Sequence, residues 1–308
     1  MQFAVESWDP EYGTGGDSSA LDASTDVVNI EVEHKAGSWV PLTPAPERTP
    51  ETIYFVDGVR RIDARIWVTD NDLVLAGSCA TVAAGVVACS GSRAEVVESQ
   101  VLRGVFTPPA ESAGPIVTGL GTYEYFPVKT GSPEDLYLGI HEQMTNLETR
   151  TIPNVGPNDL VVFDGPLRGR STAHSIGLIK TQHVQYLPDD EQRVVSKLDA
   201  GQRTPLFLIG SRGFTRWSWY LRLPGPRTHG WAGIVRCELP GAGTVDEASA
   251  MADAVSAVLP RFASEPHKEA RAPQNLYPIK GLEIELRRRL GDQRLLQRAL
   301  RTAALTTS

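Results

Sequence analysis

The sequence predicts a mixed α/β fold, in which a mixed β-sheet is flanked by helices. Runs of β-branched and aromatic residues come first, between residues 52 and 89, as expected for a strand meander. Apolar strand-like runs then alternate with amphipathic helical segments, which is typical of a sheet covered by helices. The hydrophobic content of 41% and charged content of 22% are those of a globular protein with a sizeable core.

Composition argues against a membrane or secreted protein. No apolar run approaches the length of a membrane span, and the first residues lack the basic and apolar regions of a secretory signal. The three cysteines, Cys79, Cys89 and Cys237, lie in apolar strand-like sequence, with no spacing typical of metal ligands. We therefore expect buried thiols in a cytoplasmic protein.

The first predicted strand is Thr52–Asp57, a buried run that ends in a carboxylate and is followed by Gly58. Glycine allows a tight turn and leaves room for another group to approach. Further strands are predicted at Asp63–Thr69 and Thr81–Cys89, with short turns that favour an antiparallel meander. Residues 106–131 are rich in Gly and Pro and are predicted to form a long loop.

A helix is predicted to begin at Ser132, which suits the N-cap position, with Pro133 in the first turn. Its apolar stripe consists of Leu136, Ile140, Met144 and Leu147. At about 100° per residue, Glu148 lies beside that stripe and Glu142 lies nearly opposite. Glu148 is therefore the carboxylate that can meet the ends of the strands.

The rest of the chain alternates between strands and helices. Strands are predicted at Asp159–Gly165, Ser175–Lys180, Pro205–Gly210, Phe214–Leu223 and Trp231–Leu239. Helices are predicted at Asp189–Asp199, from a capping box at Thr244 to Leu259, and from Pro278 to about Leu305 with a break at Gly291-Asp292.

Charge is distributed unevenly along the sequence. Residues 1–50 hold nine acids against Lys35 and Arg48, a balance of −7 that equals the net charge of the whole chain. From Arg271 onward, eight basic residues face three acids, a balance of +5. The pattern predicts an acidic N-terminal arm and linker (1–50), a main domain (51–292) and a helical tail (293–308), although ordinary solvated faces would explain it too.

The main evidence for a catalytic site is that two predicted strands each end in an aspartate followed by a glycine. Asp57 and Asp164 hold these positions, and Glu148 and Glu283 lie at the edges of predicted helix stripes. Four carboxylates without a Cys or His cluster suit Mn²⁺ or Mg²⁺, and two such ions promote phosphodiester hydrolysis. The competing interpretation is that Asp-Gly is a common turn dipeptide and that each acid is solvated or salt-bridged.

Basic residues near these strands could contact a nucleic acid. Lys180 and Arg168 could neutralise phosphate, and Arg170 lies in the same loop as Arg168. On the strand Phe214–Leu223, one face carries Arg216, Tyr220 and Arg222, while the tryptophans lie on the other face. The alternative is an exposed sheet face without a ligand.

The order of several blocks resembles the NurA nuclease family, over about Thr52 to Asp292. These blocks are FVDG, a helix with Glu, LVVFDGPLRGR, GLIKTQHVQYL, WSWYLRLPG, IVRCELP and APQNLYPIKGLE. The resemblance implies an RNase H-like fold and a Mn²⁺-dependent DNA nuclease with 5′-to-3′ exonuclease and single-strand endonuclease activity. It also implies a homodimer that works with a HerA-type hexameric ATPase in DNA end processing or defence. In that alignment of motifs Asp57, Asp164 and Glu148 match the acids of the family, and Lys180 matches its lysine.

One departure from the family pattern leaves the fourth metal ligand open. No histidine follows Tyr277-Pro278, so Glu283, Glu285 or His267 would have to supply it. The departure supports an alternative, a non-catalytic adaptor subunit of the ATPase complex. A metal-dependent phosphatase using the same acids is a further alternative, against which the absence of a GxxxxGK[ST] loop counts.

Overall fold

The structure is a computed structural model that describes residues 22–23, 26–167, 170, 172, 174–181, 184–211 and 214–306. Arg168, one of the predicted phosphate-binding residues, lies outside these ranges. Within them, no helix combines the length and apolar character needed to cross a membrane.

Both strands and helices are numbered along the chain. The strands are β1 (Asp22–Ala23), β2 (Val27–Asn29), β3 (Thr52–Asp70), β4 (Leu73–Ser90), β5 (Arg93–Thr107), β6 (Ile116–Thr118), β7 (Gly121–Pro127), β8 (Leu160–Asp164), β9 (Ser175–Ile179), β10 (Val184–Gln185), β11 (Phe207–Ser211), β12 (Phe214–Arg222) and β13 (Ile234–Pro240). The helices are α1 (Pro133–Arg150), α2 (Asp189–Lys197), α3 (Val245–Val258), α4 (Tyr277–Arg289) and α5 (Gln293–Thr306). The pairing includes parallel and antiparallel strands, which confirms the predicted mixed α/β class.

Packing divides the described chain into two compact units. Unit 1 consists of Met1–Phe55, Cys89–Arg93 and Val155–Lys280. Unit 2 consists of Val56–Ala88, Ala94–Asn154 and Gly281–Ser308. The domain boundaries predicted at residues 50 and 292 stay predictions.

In unit 1 the strand order is β2-β11-β12-β13-β9-β8. The pairs from β2 to β9 are antiparallel, whereas β8 and β9 run parallel. Helix α2 packs on one face through Val194 and Val195, in a core cluster that includes Trp39, Phe207 and Tyr220. This helix covers a sheet face that the sequence pattern predicted to be exposed.

Part of the predicted N-terminal arm is built into unit 1. β2 pairs with β11, and the Trp39 indole is buried in the core. The Glu33 carboxylate accepts hydrogen bonds from both terminal nitrogens of Arg203, at 3.0 and 2.9 Å. The Arg203 hydrogen bonds and charge outweigh burial and lower the pKa of Glu33. Glu33, an acid of the predicted arm, therefore serves the interior of this unit.

Unit 2 is built on long strands. β3 runs without interruption from Thr52 to Asp70, so the predicted turn between two short strands is wrong. From Ala64 to Asp70, half-buried and exposed residues alternate, as expected for a continuous strand with one face toward solvent. The loop predicted at 106–131 contains β6 and β7, and this prediction was also wrong.

All three cysteines are buried thiols, as predicted. Burial raises the pKa of the Cys79 thiol to about 12 and that of Cys89 to about 11, and it also raises the pKa of Cys237. A thiol with so high a pKa is not a nucleophile at neutral pH. The cysteines therefore belong to the packing and not to a reactive site.

Candidate functional site

Two of the predicted acids border one backbone position in unit 2. Asp57 lies on β3, where its Oδ1 accepts the N–H of Gly58 at 2.8 Å. Glu148 lies on α1, and its Oε1 is 2.5 Å from the point that a Cβ on Gly58 would occupy. The Glu148 side chain is buried, with the residue only 3% exposed. The Glu148 carboxylate of α1 thus lies beside the Asp57-Gly58 step of β3, on the side where Gly58 lacks a Cβ.

Helix α1 forms as the sequence predicts. The Ser132 hydroxyl accepts the backbone N–H of Asp135 at 3.1 Å, and this cap fixes where the first turn begins. The buried face of the helix comprises Ile140, Met144, Leu147 and Glu148. Glu142 is exposed, so the choice of Glu148 as the inward carboxylate is confirmed.

Gly58 is needed for space, not for a turn. It has no positive φ, and β3 continues through it. A Cβ there would be 2.8 Å from Met144 Cγ as well as 2.5 Å from Glu148 Oε1, closer than real side chains approach. The glycine therefore lets α1 pack near enough to place the Glu148 carboxylate beside β3.

In unit 1, Asp164 ends β8 and is held by a lysine. Lys180 Nζ donates to Asp164 Oδ2 at 2.7 Å and to Asn275 Oδ1 at 2.8 Å. Parallel pairing places Asp164 opposite Leu178, which brings Lys180, just after β9, within reach. The Lys180 side chain is almost fully buried and that of Asp164 partly exposed. Lys180 therefore neutralises and orients this aspartate.

Asn275 is a member of this second cluster that sequence reasoning did not single out. It is fully buried and orients the Lys180 ammonium through its carbonyl oxygen. It lies in the APQNLYPIKGLE block, whose likeness to the nuclease family was its only signal. A single asparagine in a polar segment otherwise predicts a turn or a cap, and no local pattern marks it as buried.

The Asp-Gly step of β8 differs from that of β3. Gly165 has a φ of +94°, a region that side chains rarely adopt, and the point that a Cβ would occupy there is 3.9 Å from the nearest neighbouring atom. Its N–H donates to the carbonyl of Leu178 at 2.9 Å. Backbone conformation, not crowding, is why this position holds glycine.

The three candidates for a fourth ligand all lie beside charged side chains. Glu283 pairs with Arg287 at 2.9 Å, and Glu285 pairs with Arg289 at the same distance. His267 is exposed and lies 3.7 Å from Glu265. The role of Glu283 as a metal ligand stays a prediction.

The face of β12 proposed to contact nucleic acid is buried. Tyr220 is covered by the rings of Phe207 and Trp231. Arg222 is buried as well, and it donates to the carbonyls of Ala232, Gly230 and Ser196. The expectation of an exposed face was wrong because core packing covers both faces of this central strand.

The two remaining arginines are engaged within unit 1. Arg216 forms ion pairs with Glu238 at 2.9 Å and Asp26 at 3.1 Å. Arg170 donates to the carbonyl of Pro166 at 2.7 Å, and its guanidinium lies over the Phe163 ring. Both side chains support local structure, and their part in nucleic-acid binding stays a prediction.

The Asp57–Glu148 pair has the right donor chemistry for a hard divalent ion. Mg²⁺ keeps several waters and often uses only one or two carboxylates together with substrate phosphates. Within the described ranges, no group of three or more His, Cys, Asp and Glu residues could hold a metal ion. Metal binding by these two carboxylates stays a prediction.

Comparisons with known proteins give structural similarity only. No protein-family model and no curated protein sequence matches the chain. The NurA nuclease from Sulfolobus solfataricus is similar over 80% of this chain and 81% of that chain, with 10% identity and a TM-score of 0.46. The catalytic domain of human Endonuclease V is similar over 78% of this chain and 82% of that chain, with 17% identity and a TM-score of 0.29. TM-scores below 0.5 do not establish a shared fold, so the RNase H-like assignment stays a prediction.

Proposed function

We propose that the protein is a metal-dependent DNA nuclease that hydrolyses phosphodiester bonds. The observation that carries the proposal is that the buried Glu148 carboxylate of α1 lies beside the Asp57-Gly58 step of β3, where the missing Cβ of Gly58 leaves room for it, while Asp57 Oδ1 accepts the N–H of the same glycine. The ordered sequence blocks shared with the NurA family support the same reaction class. By that resemblance, the activities would be 5′-to-3′ exonuclease and single-strand endonuclease.

Each cluster has a proposed role. Asp57 and Glu148 would hold Mn²⁺ or Mg²⁺, which when bound activates water and steadies the leaving oxygen. In unit 1, Asp164 is the second strand-end carboxylate, and Lys180 fixes its position through the 2.7 Å contact. Asn275 holds the other side of the lysine ammonium, so Asp164 cannot swing away without breaking its bond to a lysine that is itself held in place.

A cleavage assay with the purified protein tests this proposal. Linear DNA, single-stranded and duplex, is incubated with Mn²⁺, with Mg²⁺, or with either ion plus excess EDTA. We expect degradation with an ion and none with the chelator. Activity that persists in EDTA would contradict a metal-dependent mechanism.

The assay is repeated with a HerA-type ATPase, because the resemblance implies a homodimer working with such a partner. The sequence supports an interaction surface near the N-terminus, since residues 1–21 contain four acids and no Lys or Arg. We expect deletion of residues 1–21 to weaken co-purification with the ATPase and leave metal-dependent cleavage intact. Sedimentation of the protein alone checks the dimer.

The alternative function is a non-catalytic adaptor of the ATPase. Its support is the absence of a histidine after Tyr277-Pro278, together with the ion pair that Glu283 forms with Arg287. If the protein binds the ATPase but cleaves no DNA with either Mn²⁺ or Mg²⁺, with or without the ATPase, the adaptor function is correct.

A further inference from the structure

Unit 2 contains a groove that none of the predicted site residues lines. It has a volume of about 480 Å³ and is bordered by β3, β4 and α1. Charged and aromatic side chains on its wall include Arg60, Arg61, Arg65, Trp67 and Tyr137. We propose that this groove binds single-stranded DNA, with Trp67 as a base-stacking platform and Arg60 and Arg65 as phosphate contacts.

The charge of the groove is opposite to that of the chain. The protein has a net charge of −7, yet the described lining residues include three arginines and no Asp or Glu. Arg61 is neutralised by Asp63 at 2.9 Å, whereas Arg65 is exposed on the groove side of β3. Arginines without neighbouring lining acids favour a polyanion, because phosphate oxygens accept their N–H groups.

Arg60 is held in place by Tyr137 and His141. Its Nη2 donates to the Tyr137 hydroxyl at 2.6 Å, and its guanidinium lies 4.4 Å from the centre of the Tyr137 ring. A second terminal nitrogen lies 3.4 Å from His141 Nδ1. These contacts orient the guanidinium at the edge of the groove and do not place an anion beside its charge.

Trp67 is the reason why the proposed ligand is single-stranded DNA and not another polyanion. Its side chain is on a regular strand, yet the residue is 73% exposed. An exposed indole leaves a large apolar surface in water, which a stacked base would cover. Bases can stack on an indole only when they are unpaired, so duplex DNA would meet the arginines and not the ring.

The position of the groove connects it with the proposed cleavage site. Both lie on the same pair of elements, because β3 carries Asp57 and Trp67 while α1 carries Ile140, which lines the groove, and Glu148. Along α1 those two residues are separated by about 12 Å at 1.5 Å per residue. A DNA strand that followed α1 from the groove toward the C-terminal end of the helix would approach Glu148. This step rests on the proposed nuclease function, but binding itself does not.

The test measures binding without catalysis. Fluorescence anisotropy of a labelled oligo-dT and of a duplex of equal length is recorded with the full chain in EDTA, over a range of salt. We expect Trp67→Ala to weaken oligo-dT binding about tenfold or more, with little effect on the duplex, and Trp67→Phe to retain most affinity. Arg65→Gln should lower the salt slope by about 0.7, the value for one lost phosphate contact.

A control variant and the possible outcomes distinguish failure of the DNA-binding proposal from failure of the nuclease function. Arg298→Gln changes an exposed arginine on α5 and should leave the salt slope unchanged. Unchanged oligo-dT affinity in Trp67→Ala overturns the proposal, as does a wild type that cleaves DNA yet shows no binding of oligo-dT. If Trp67→Ala alters sedimentation but not DNA affinity, the groove belongs to an interface with a second copy. Binding of oligo-dT by a wild type that shows no cleavage with any ion would instead contradict only the nuclease function.

Discussion

The two Asp-Gly steps have the same sequence but lie in different surroundings. In unit 2, β3 passes through Asp57-Gly58 in extended conformation, and the missing Cβ makes room for Met144 and Glu148. In unit 1, β8 ends at Asp164, and Gly165 adopts a φ of +94° with open space around its Cα. The comparison teaches that one dipeptide can serve close packing in one unit and a backbone turn in the other.

The acids differ as well in what holds them. Asp164 is fixed by a buried lysine that is itself fixed by Asn275. Glu148 is placed by the packing of α1 against Gly58. We therefore expect the stability of unit 1 to be sensitive to loss of charge and the stability of unit 2 to be sensitive to added volume.

The largest effect is expected on cleavage when the buried helix carboxylate loses its charge. Glu148→Gln keeps the shape of the side chain but removes a metal-binding oxygen anion, so Mn²⁺-dependent cleavage should fall by orders of magnitude. The matched control is Glu142→Gln on the exposed side of α1, which should cleave like the wild type. Similar cleavage by both variants would show that the position of Glu148 beside the apolar stripe of α1 does not identify a metal ligand.

A large effect on stability is expected from the lysine of unit 1. Lys180→Met leaves the Asp164 carboxylate and the Asn275 carbonyl without their buried donor, and should lower the free energy of unfolding by about 2–4 kcal/mol. Adding Asp164→Asn to this variant should recover part of the loss, because the uncompensated charge is removed. Denaturant titration without metal measures both; strictly additive losses would mean that the ion pair does not couple the two residues.

Substitutions at Gly58 and Gly165 should have a smaller effect on stability, and they distinguish crowding at Gly58 from backbone conformation at Gly165. Gly58→Ala should cost about 1–3 kcal/mol through overpacking and also reduce cleavage by displacing Glu148. Gly165→Ala should cost about 1–2 kcal/mol through its left-handed backbone. Asparagine tolerates that conformation, so Gly165→Asn should be milder than Gly165→Ala, whereas Gly58→Asn should be worse than Gly58→Ala. If the alanine and asparagine variants at either position lose stability in the reverse order, the cause assigned to that glycine, crowding at Gly58 or backbone conformation at Gly165, is wrong.

The local features were predictable because they depend on neighbours in sequence. The Ser132 cap and the apolar stripe predicted α1, and the stripe alone separated Glu148 from Glu142. The break at Gly291 also lies between two helices, as predicted. Each of these signals is contained within a few helical turns.

Other features depend on residues that are far apart in the chain. Gly58 was expected to allow a turn and to leave room for another group. Only the second expectation is confirmed, and no residue near Gly58 in the sequence shows that the group is helix α1. The alternation on β12 predicted one exposed face, but α2 and the core around Tyr220 cover it. The burial of Asn275 and the exposure of Trp67 likewise depend on tertiary packing, which periodicity does not report.

The most direct measurement is cleavage of linear DNA by Asp57→Asn. Asparagine retains the Oδ1 acceptor for the Gly58 N–H and the shape of the site, but lacks the charge that would hold the ion. We predict that Mn²⁺-dependent degradation is abolished, while the thermal midpoint without metal stays level or rises. Normal cleavage by this variant would contradict the account, because Asp57 would then be only a strand residue beside a packing glycine.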